Sequence, residues 1–498
     1  MVWPPVEAEA GPMTATDTTP GLKRNAITFV SNVVIGVAST APAYSLAATL
    51  GLIVAVGGIG LQSPAVMLVA FIPMLCIAVA YYWLNRADPD CGTTFSWVTR
   101  ALGPRLGWLG GWGIIAADVL VMPSLASVAG SYTFLLFGWD SAASNRWAVL
   151  AVGVVWIAVM TWICWVGVEL SARTQRILLT IEVVTLAVFA VVALVKVYTQ
   201  SPPNSVEPAL SWFNPFALSS SALTGGVLLA IFIYWGWDSG VAVNEETEDS
   251  ATTPGRAALV STVVLLVIYA LVTTAAQAFA GTGTLAANPD DVFAPIGAAV
   301  LGGTLDKVLI IAVLTSASAS TQTTILPTAR TALSMARMGA IPRTFAHIQD
   351  EHRSPDVSTL VMGAASAALL VLLTSWDQNL VFDAFTALGL MIAFYYGITG
   401  FACAVYYRHE LLRSPRNLLL MGVVPVAGGL MLTYVLVRSF FEIVKPDSGF
   451  AGAIFGVGAP FAIAVAAIVM GGVLLLWSAA RYRDFFARRP EVAGTPVS

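Results

Sequence analysis

The sequence predicts an all-α polytopic membrane protein that crosses a membrane twelve times. Apolar residues make up 57% of its 498 residues, charged residues only 10%, and the mean hydropathy is +0.81. Since a soluble globular protein carries about a quarter charged residues, this composition excludes a soluble enzyme, a nucleic-acid-binding protein and a disordered scaffold. Long apolar runs also recur along the chain, each close to the roughly 20 residues that a membrane-spanning helix needs.

Twelve apolar runs are long enough to be spans. They lie near residues 27–54, 60–84, 106–137, 147–168, 177–198, 222–243, 257–280, 305–326, 357–375, 380–407, 417–440 and 456–479. We therefore predict twelve transmembrane helices.

Basic residues divide unevenly between the two sets of loops. With the amino terminus in the cytoplasm, nineteen of the 24 Lys and Arg residues fall on the cytoplasmic side. The remaining five are Arg146, Lys196, Lys307, Arg438 and Lys445. The positive-inside rule predicts this asymmetry. We expect a multi-pass protein of the cytoplasmic (plasma) membrane with both termini in the cytoplasm.

Several chemistries lack the residues that they need. The four cysteines, Cys76, Cys91, Cys164 and Cys403, are far apart and form no CxxC motif, so neither a metal site nor a disulfide framework is expected. The chain has no HExxH or GxSxG motif and no Gly-Lys dipeptide for a phosphate-binding loop. We predict no enzyme activity, no cofactor and no ATP-driven pump. A net charge of −4 gives nucleic acid no basic surface.

Two spans contain helix-breaking residues at matched positions. In the first span Gly36 and Pro42 interrupt the apolar run, and in the sixth Gly236 and Gly240 flank an acidic residue. The breaks are five spans apart, as expected for two five-helix halves related as an inverted repeat, with a substrate site near the membrane midplane. The alternative is that these residues only mark kinks or close packing, because Gly and Pro are common in membrane helices.

A broken helix in a membrane exposes backbone groups that no water can satisfy. The amino end of each half-helix presents N–H groups and a positive dipole to an anion, while freed carbonyls face a cation. A zwitterion such as an amino acid therefore suits a pair of breaks.

Four separated segments resemble motifs of the amino acid/polyamine/organocation (APC) superfamily of transporters. They are residues 36–45 (GVASTAPAYS), 89–112 (PDCGTTFSWVTRALGPRLGWLGGW), 234–257 (YWGWDSGVAVNEETEDSATTPGRA) and 329–345 (ARTALSMARMGAIPRTF). The resemblance covers about residues 23–440. It implies a ten-helix core of two inverted repeats plus two further helices, which carries amino acids or related amines and is commonly coupled to protons.

This resemblance also implies a domain organisation and a binding site. It implies that residues 23–200 form the first repeat, 201–410 the second repeat and 411–480 spans 11 and 12. Composition predicts the two ends: residues 1–22, rich in Pro, Thr and acidic residues, form a disordered cytoplasmic tail, and the basic segment 481–498 forms a second cytoplasmic tail. Backbone N–H groups would hold the substrate carboxylate, and carbonyls and rings at the second break would hold its amino group. The residues implied are Gly36, Val37, Ala38, Ser39 and Thr40 for the carboxylate, and Phe232, Trp235 and Gly236 for the second break.

Acidic residues inside spans are candidate functional residues, because placing each one at the centre of a membrane helix costs about 2.5–3.5 kcal/mol of insertion free energy. Asp238 lies beside the second break and is a candidate for proton coupling or gating; alternatively it caps the next half-helix. Glu182 lies in the fifth span, where some members of the superfamily carry a lysine, and is a candidate proton carrier. Its alternative is a packed, protonated carboxyl. Asp118 is a candidate pocket residue that sets side-chain preference.

The hydroxyl residues of the eighth span and the acidic run after the sixth span indicate function less strongly than the acids inside the spans. Ser316, Ser320 and Thr323 share one face of the eighth span, where they would bind an ion or substrate or act as packing contacts between helices. The acidic run that includes Glu245 and Glu246 is expected to pair with basic loops, including Arg256.

These observations favour a secondary active transporter of amino acids or amines that works by alternating access as a proton-coupled symporter. Protons are favoured over sodium as the coupling ion, and the other partners are the substrate and the lipid bilayer. Two alternatives remain open at this point: an antiporter, and a transporter-like sensor that binds substrate without moving it.

Overall fold

The computed structural model describes residues 21–288, 291–302 and 306–490, which are mostly helical. Nearly all of the predicted tail 1–22 and part of the tail 481–498 lie outside these residues. In chain order the helices are α1 (Phe29–Ser39), α2 (Pro42–Ala55), α3 (Ser63–Ala87), α4 (Thr94–Leu102), α5 (Pro104–Leu136), α6 (Asp140–Ala143), α7 (Arg146–Val166), α8 (Val168–Gln200), α9 (Ser220–Ile233), α10 (Ser239–Ala242), α11 (Thr253–Ala286), α12 (Phe293–Leu301), α13 (Asp306–Arg337), α14 (Asp356–Trp376), α15 (Leu380–Tyr406), α16 (Pro415–Asn417), α17 (Val424–Ile443), α18 (Ala459–Arg481) and α19 (Arg483–Phe486). A π-helical segment, Leu418–Val423, joins α16 to α17, and strands β1 (Ala453–Ile454) and β2 (Val457–Gly458) form an antiparallel hairpin before α18.

Eleven helical segments of the described chain are long and apolar enough to cross a membrane, with α1 and α2 counted as one. The predicted span 222–243 differs from the others. It consists of the 14-residue helix α9, a non-helical stretch, and the single turn α10. The chain is therefore a nearly all-helical, multi-pass membrane protein in which the first and the sixth apolar segments are broken.

The first break lies at Thr40 and Ala41 rather than at Gly36. Gly36 is helical within α1, whereas Ala41 adopts a left-handed conformation with φ of 47° and Pro42 begins α2. Proline suits the first helical position because its φ is already set and that position needs no N–H. Glycine is needed at position 36 for packing: a Cβ there would lie 2.7 Å from Ser261 Oγ on α11.

The second break packs directly against α1. Gly236 has a φ of +118°, and a Cβ there would lie 2.8 Å from the carbonyl oxygen of Ser39. A Cβ at Gly240 would lie 2.7 Å from Asn32 Oδ1. The Ser39 and Ser239 hydroxyls are hydrogen-bonded at 2.8 Å. The two breaks thus meet inside the bundle, 200 residues apart in sequence.

Helices α5, α8, α11, α13 and α15 surround the breaks. Helix α1 contacts α8, α11 and α13, and α10 contacts α11 and α13. Apolar side chains on α8, α14 and α18, such as Val184, Leu372 and Leu476, are exposed. That exposure is expected of helices whose outer faces lie in lipid.

Candidate functional site

A carboxylate occupies the amino end of α2. The Ala43 N–H donates to Glu182 Oε1 at 2.8 Å, and the Ser316 hydroxyl donates to the same oxygen at 2.8 Å. The Tyr44 N–H donates to Ser316 Oγ at 3.2 Å. Glu182 is fully buried, and its other oxygen, Oε2, has no hydrogen-bond partner among the described residues. Glu182 of α8 therefore caps α2, where the N–H groups and the helix dipole favour a negative charge.

The residues predicted to hold a substrate carboxylate are positioned one turn earlier. Gly36, Val37, Ala38 and Ser39 lie within α1, where N–H groups bond along the helix. The Thr40 N–H donates to the Val37 carbonyl at 3.2 Å. The break instead directs the N–H groups that follow Pro42 towards other helices. Sequence alone did not reveal this register, because both Gly36 and Pro42 can interrupt a helix.

The hydroxyls of α13 divide into two groups. Ser316 bonds Glu182, and Ser320 donates to the carbonyl oxygen of Ser39 at 2.9 Å. Thr323 donates to the Ala319 carbonyl of its own helix at 3.0 Å. Ser316 and Ser320 thus tie α13 to the first break, and Thr323 does not reach it.

Two tyrosines of α15 hold Asp238. The Tyr396 hydroxyl donates to Oδ1 at 2.8 Å and the Tyr395 hydroxyl to Oδ2 at 3.1 Å. Asp238 precedes α10, but its side chain makes no capping hydrogen bond to that helix within the described structure. Trp235 Nε1 donates to Tyr395 at 2.5 Å, which links the second break to the same network. Sequence reasoning missed both tyrosines, although a Tyr pair inside an apolar span is a recognisable signal.

The second break also supplies aromatic walls and carbonyl groups. Phe232 packs on Phe385 with ring centroids 5.7 Å apart, and Tyr44 packs on Phe385 at 6.2 Å. The Phe232 carbonyl accepts the Trp235 N–H at 3.0 Å. In residues 21–288, 291–302 and 306–490, no hydrogen bond ends on the carbonyl oxygens of Tyr234 or Trp235. These two oxygens are therefore the backbone acceptors that the break leaves available.

Asp118 lies on α5 opposite α13. The Thr328 hydroxyl donates to Asp118 Oδ2 at 2.5 Å, and the Asp118 residue is only 3% exposed. Asp118 is close enough to Asp238 for the two carboxylates to interact electrostatically. The structure therefore brings two of the three predicted intramembrane acids into one region.

A cavity of ≈ 460 Å³ opens where α5 ends and α7 begins. It is lined by residues that include Ser127, Tyr132 and Asp291, and the Tyr132 hydroxyl donates to the Asp291 carboxylate. Tyr44 also lines it, and the Tyr44 hydroxyl bonds Ser124 Oγ at 2.6 Å. Because Tyr44 also belongs to the first turn of α2, the cavity leads towards the breaks.

The opposite end of the bundle, where α1 begins, is closed. The Ala26 and Ile27 N–H groups donate to the Glu246 carbonyl at 2.8 and 3.0 Å, and the Glu248 N–H donates to the Ile27 carbonyl at 2.9 Å. Arg330 of α13 forms an ion pair with Glu246 at 2.6 Å, and the side chains are 3% and 1% exposed. Buried charges of this kind are held only when paired.

A second ion pair joins Arg337 to Glu245 at 2.8 Å. Burial is the largest single influence on Glu245 and raises its pKa. The charge and hydrogen bonds of Arg337, together with the hydrogen bonds from Cys91, outweigh burial and hold that pKa below its usual value. We call Ile27, Glu245, Glu246, Arg330 and Arg337 the closing layer. The acidic run was expected to pair with basic loops, including Arg256. Its partners are instead Arg330 and Arg337 from the end of α13, and no ion pair among the described residues involves Arg256.

One group of potential metal ligands occurs among the described residues: Asp90, Cys91 and Glu245, whose ligand atoms lie within 4.8 Å of one another. Asp90 Oδ1 already accepts a hydrogen bond from Ser334 at 2.6 Å, and Glu245 accepts two from Arg337. The Arg337 guanidinium therefore provides the positive charge that a bound metal cation would otherwise provide. This group is thus part of the contacts that close the α1 end.

Comparison with known proteins agrees with this architecture. A sequence model of the amino acid permease family matches residues 25–479. The chain is 27% identical over 374 residues to an uncharacterized transporter of Mycobacterium tuberculosis, which covers 74% of this chain and 78% of that protein. It is 23% identical over 214 residues to the branched-chain amino acid permease BcaP of Lactococcus lactis, covering 40% and 44%. It is 22% identical over 342 residues to the low-affinity putrescine importer PlaP of Escherichia coli, covering 68% and 73%. The chain therefore belongs to the amino acid permease family of the APC superfamily and is a transporter, not an enzyme.

Proposed function

We propose that this protein is a secondary active transporter that moves amino acids or related amines across the plasma membrane by proton-coupled symport. The observation that carries the proposal is the meeting of two helix breaks beside buried carboxylates, with a cavity on one side and a closing layer on the other. A site reached from one side at a time is what alternating access requires.

The orientation follows from the distribution of basic residues. With both termini in the cytoplasm, the closing layer is cytoplasmic and the cavity that contains Tyr44 is extracellular. The two halves, 23–200 and 201–410, act as inverted repeats around the breaks at Thr40 and Gly236. Closing the cavity and opening the closing layer then delivers substrate inwards.

Asp238 and Glu182 are the proposed proton carriers. Hydroxyl groups hold Asp238, and a hydroxyl and a backbone N–H hold Glu182. Neither carboxylate has a Lys, Arg or His partner in the part of the chain that the structure describes. Burial without a cationic partner disfavours the ionised form of each acid, whereas the surrounding donors, and for Glu182 the start of α2, favour it. Such an acid couples transport to the proton gradient if it gains a proton on one side of the membrane and loses it on the other.

The test is uptake by the purified protein in proteoliposomes, with labelled amino acids and amines, with and without an inward proton gradient. Accumulation that requires the gradient supports symport. Exchange against preloaded substrate without net uptake would instead identify an antiporter. Binding without any flux would identify a substrate sensor and refute the transport proposal.

A further inference from the structure

An apolar crevice of ≈ 390 Å³ opens on the outer surface of the bundle, between α14 and α18. The buried side chains of Trp108 on α5 and Met335 on α13 form its floor. The exposed side chains of Val361 on α14 and Trp477 on α18 form its rim. Since the outer faces of α14 and α18 are apolar and exposed, the crevice is open to the hydrocarbon of the membrane.

The lining of this crevice suits a hydrocarbon chain. Among the residues that line it, only Thr328 and Ser358 carry a hydroxyl. The Thr328 hydroxyl donates to Asp118, and the Ser358 hydroxyl donates to the Phe345 carbonyl at 3.0 Å, so both hydroxyls are already used inside the protein. A polar solute would lose its hydrogen bonds in such a crevice, whereas an acyl chain has none to lose.

Two arginines lie at one end of the crevice. Arg343 lies between Pro342 and Phe345, which both line the crevice. Arg481 is the last residue of α18 and follows Trp477 by four residues, so these two side chains share one face of the helix. The apolar crevice therefore ends in two guanidinium groups.

This end of the crevice is on the same side of the bundle as the closing layer. Arg337 of that layer is the last residue of α13, and Arg343 follows it by six residues. The Ser478 hydroxyl donates to the Ala340 carbonyl, which holds α18 against the loop that carries Arg343. Tryptophan is common at membrane–water interfaces, so Trp477 places this end at the level of the lipid head groups.

The charge at this end is positive and lacks a partner in the described structure. Arg343 and Arg481 are exposed, and neither forms an ion pair with a described residue. Residues 481–489 contain four arginines and one acid. Asp356, the acid at the start of α14, is already hydrogen-bonded to His347 at 2.7 Å. An anion would therefore complement the mouth of the crevice.

We propose that this crevice binds a phospholipid with a net negative head group. Its acyl chain lies against α5 and α13, and its phosphate group is held by Arg343 and Arg481. Guanidinium groups bind phosphate through paired hydrogen bonds as well as through charge. The acyl chain gains little by leaving other lipid chains, so the arginines decide which lipid is retained.

This site is distinct from the proposed transport function and does not rest on it. The crevice lies outside the two breaks, but its floor includes α13, which carries Arg330 and Arg337 of the closing layer. The bound lipid therefore contacts the helix that holds the α1 end closed.

The test is photocrosslinking of lipid to the full-length protein in nanodiscs that contain equal amounts of phosphatidylglycerol and phosphatidylcholine. Either lipid in turn carries a diazirine on an acyl chain of the same length. Peptide mass spectrometry compares crosslinks at the crevice, near Val361 and Leu474, with crosslinks at the exposed Val155 of α7, which reports bulk lipid. One arginine near the membrane surface contributes about a fivefold preference for an anionic lipid, so two give about twenty-fivefold. We expect that preference for phosphatidylglycerol at the crevice and none at Val155.

Variants of the arginines locate the cause of the preference. Arg343→Gln and Arg481→Gln should each lower it about fivefold, and the double variant should abolish it. Arg416→Gln is the matched control, because Arg416 is exposed, has no ion pair within the described ranges and does not line the crevice. It should leave the preference unchanged.

Variants of α14 test the crevice itself. Ala365→Trp fills it, so crosslinks of both lipids at the crevice should disappear while those at Val155 remain. Ala364→Trp is the matched control, because Ala364 is the neighbouring residue but lines a separate crevice between α7 and α14. It should leave the crosslinks near Leu474 and their preference for phosphatidylglycerol unchanged.

Three results would overturn the proposal. Equal crosslinking of the two lipids at the wild-type crevice would show that the arginines select no head group. A preference that persists in the double arginine variant would assign it to other residues. Absence of lipid crosslinks at the crevice, with a dimer in native mass spectra that Ala365→Trp disrupts, would show that a second copy of the chain covers it.

Discussion

Neutralising Glu246 should open the closing layer. In the closed state Arg330 and Glu246 are almost fully buried and paired at 2.6 Å. Breaking a buried pair by removing one partner costs about 3–5 kcal/mol, because the remaining charge stays buried and unpaired. Opening this end lets water reach Arg330, so the cost falls on the closed state alone. We expect Glu246→Gln to cost about 3 kcal/mol, the lower end of that range, since glutamine still accepts a hydrogen bond.

This loss of free energy changes the ratio of closed to open protein, which cysteine labelling can measure. About 3 kcal/mol corresponds to roughly a hundredfold change in the balance between closed and open forms. Cys91 reports that balance. It is fully buried, its N–H donates to Glu245 at 3.2 Å, and its thiol contacts the Arg330 carbonyl at 3.5 Å. Burial, followed by the charges of Glu245 and Asp90, raises the pKa of the Cys91 thiol, so labelling in the closed form is slow.

The assay is the rate of N-ethylmaleimide labelling at Cys91, read by peptide mass spectrometry on protein in nanodiscs. The buried residues Cys164 and Cys403 are internal controls for general unfolding. We expect Glu246→Gln to raise the Cys91 rate by up to a hundredfold and to leave both controls unchanged. A second variant, Arg330→Met with Glu246→Met, removes both charges and should return the rate to within tenfold of wild type.

Two results would refute this reasoning. If Glu246→Gln labels at the wild-type rate, the ion pair does not hold the α1 end closed. If the double variant labels as fast as the single variant, lost packing and not an unpaired charge explains the effect.

Three further predictions test the site itself. Asp238→Asn should abolish gradient-driven accumulation of substrate and weaken equilibrium binding far less. Asparagine keeps an acceptor for the tyrosines but cannot gain and lose the proton that a carboxyl carries. Equal losses of accumulation and of binding would indicate a structural role for Asp238. Glu182→Gln should flatten the dependence of uptake on pH, since glutamine carries no exchangeable proton at this buried position, and an unchanged profile would remove Glu182 as a proton carrier. Gly236→Ala should abolish transport, because a φ of +118° is strained for alanine and the new Cβ would lie 2.8 Å from the Ser39 carbonyl oxygen. The control Gly472→Ala should transport normally, because a Cβ at that position would have no neighbouring atom within 4 Å. Activity in both variants would show that transport does not need the two breaks to be in contact.

Much of the architecture was predictable because it depends on local composition. Runs of about 20 apolar residues define spans whatever their neighbours are. Eleven of the twelve predicted runs accordingly match helical segments that are long and apolar enough to cross a membrane, with α1 and α2 counted together. The breaks were predictable for the same reason, since Gly and Pro act on their own backbone. The exact position of the first break was less predictable. It lies at Thr40 and Ala41, because Gly36 stays helical and is used for close packing on α11.

The sequence by itself determined that this protein is a membrane transporter with two broken helices and three intramembrane acids. Only the tertiary structure decided what each acid contacts: Glu182 the start of α2, Asp238 two tyrosines of α15, and Asp118 a threonine of α13. The physical reason is distance along the chain. Glu182 and Ala43 are 139 residues apart, and Asp238 and Tyr396 are 158 apart. Local propensity carries no information on such pairs, because they form only when the helices pack.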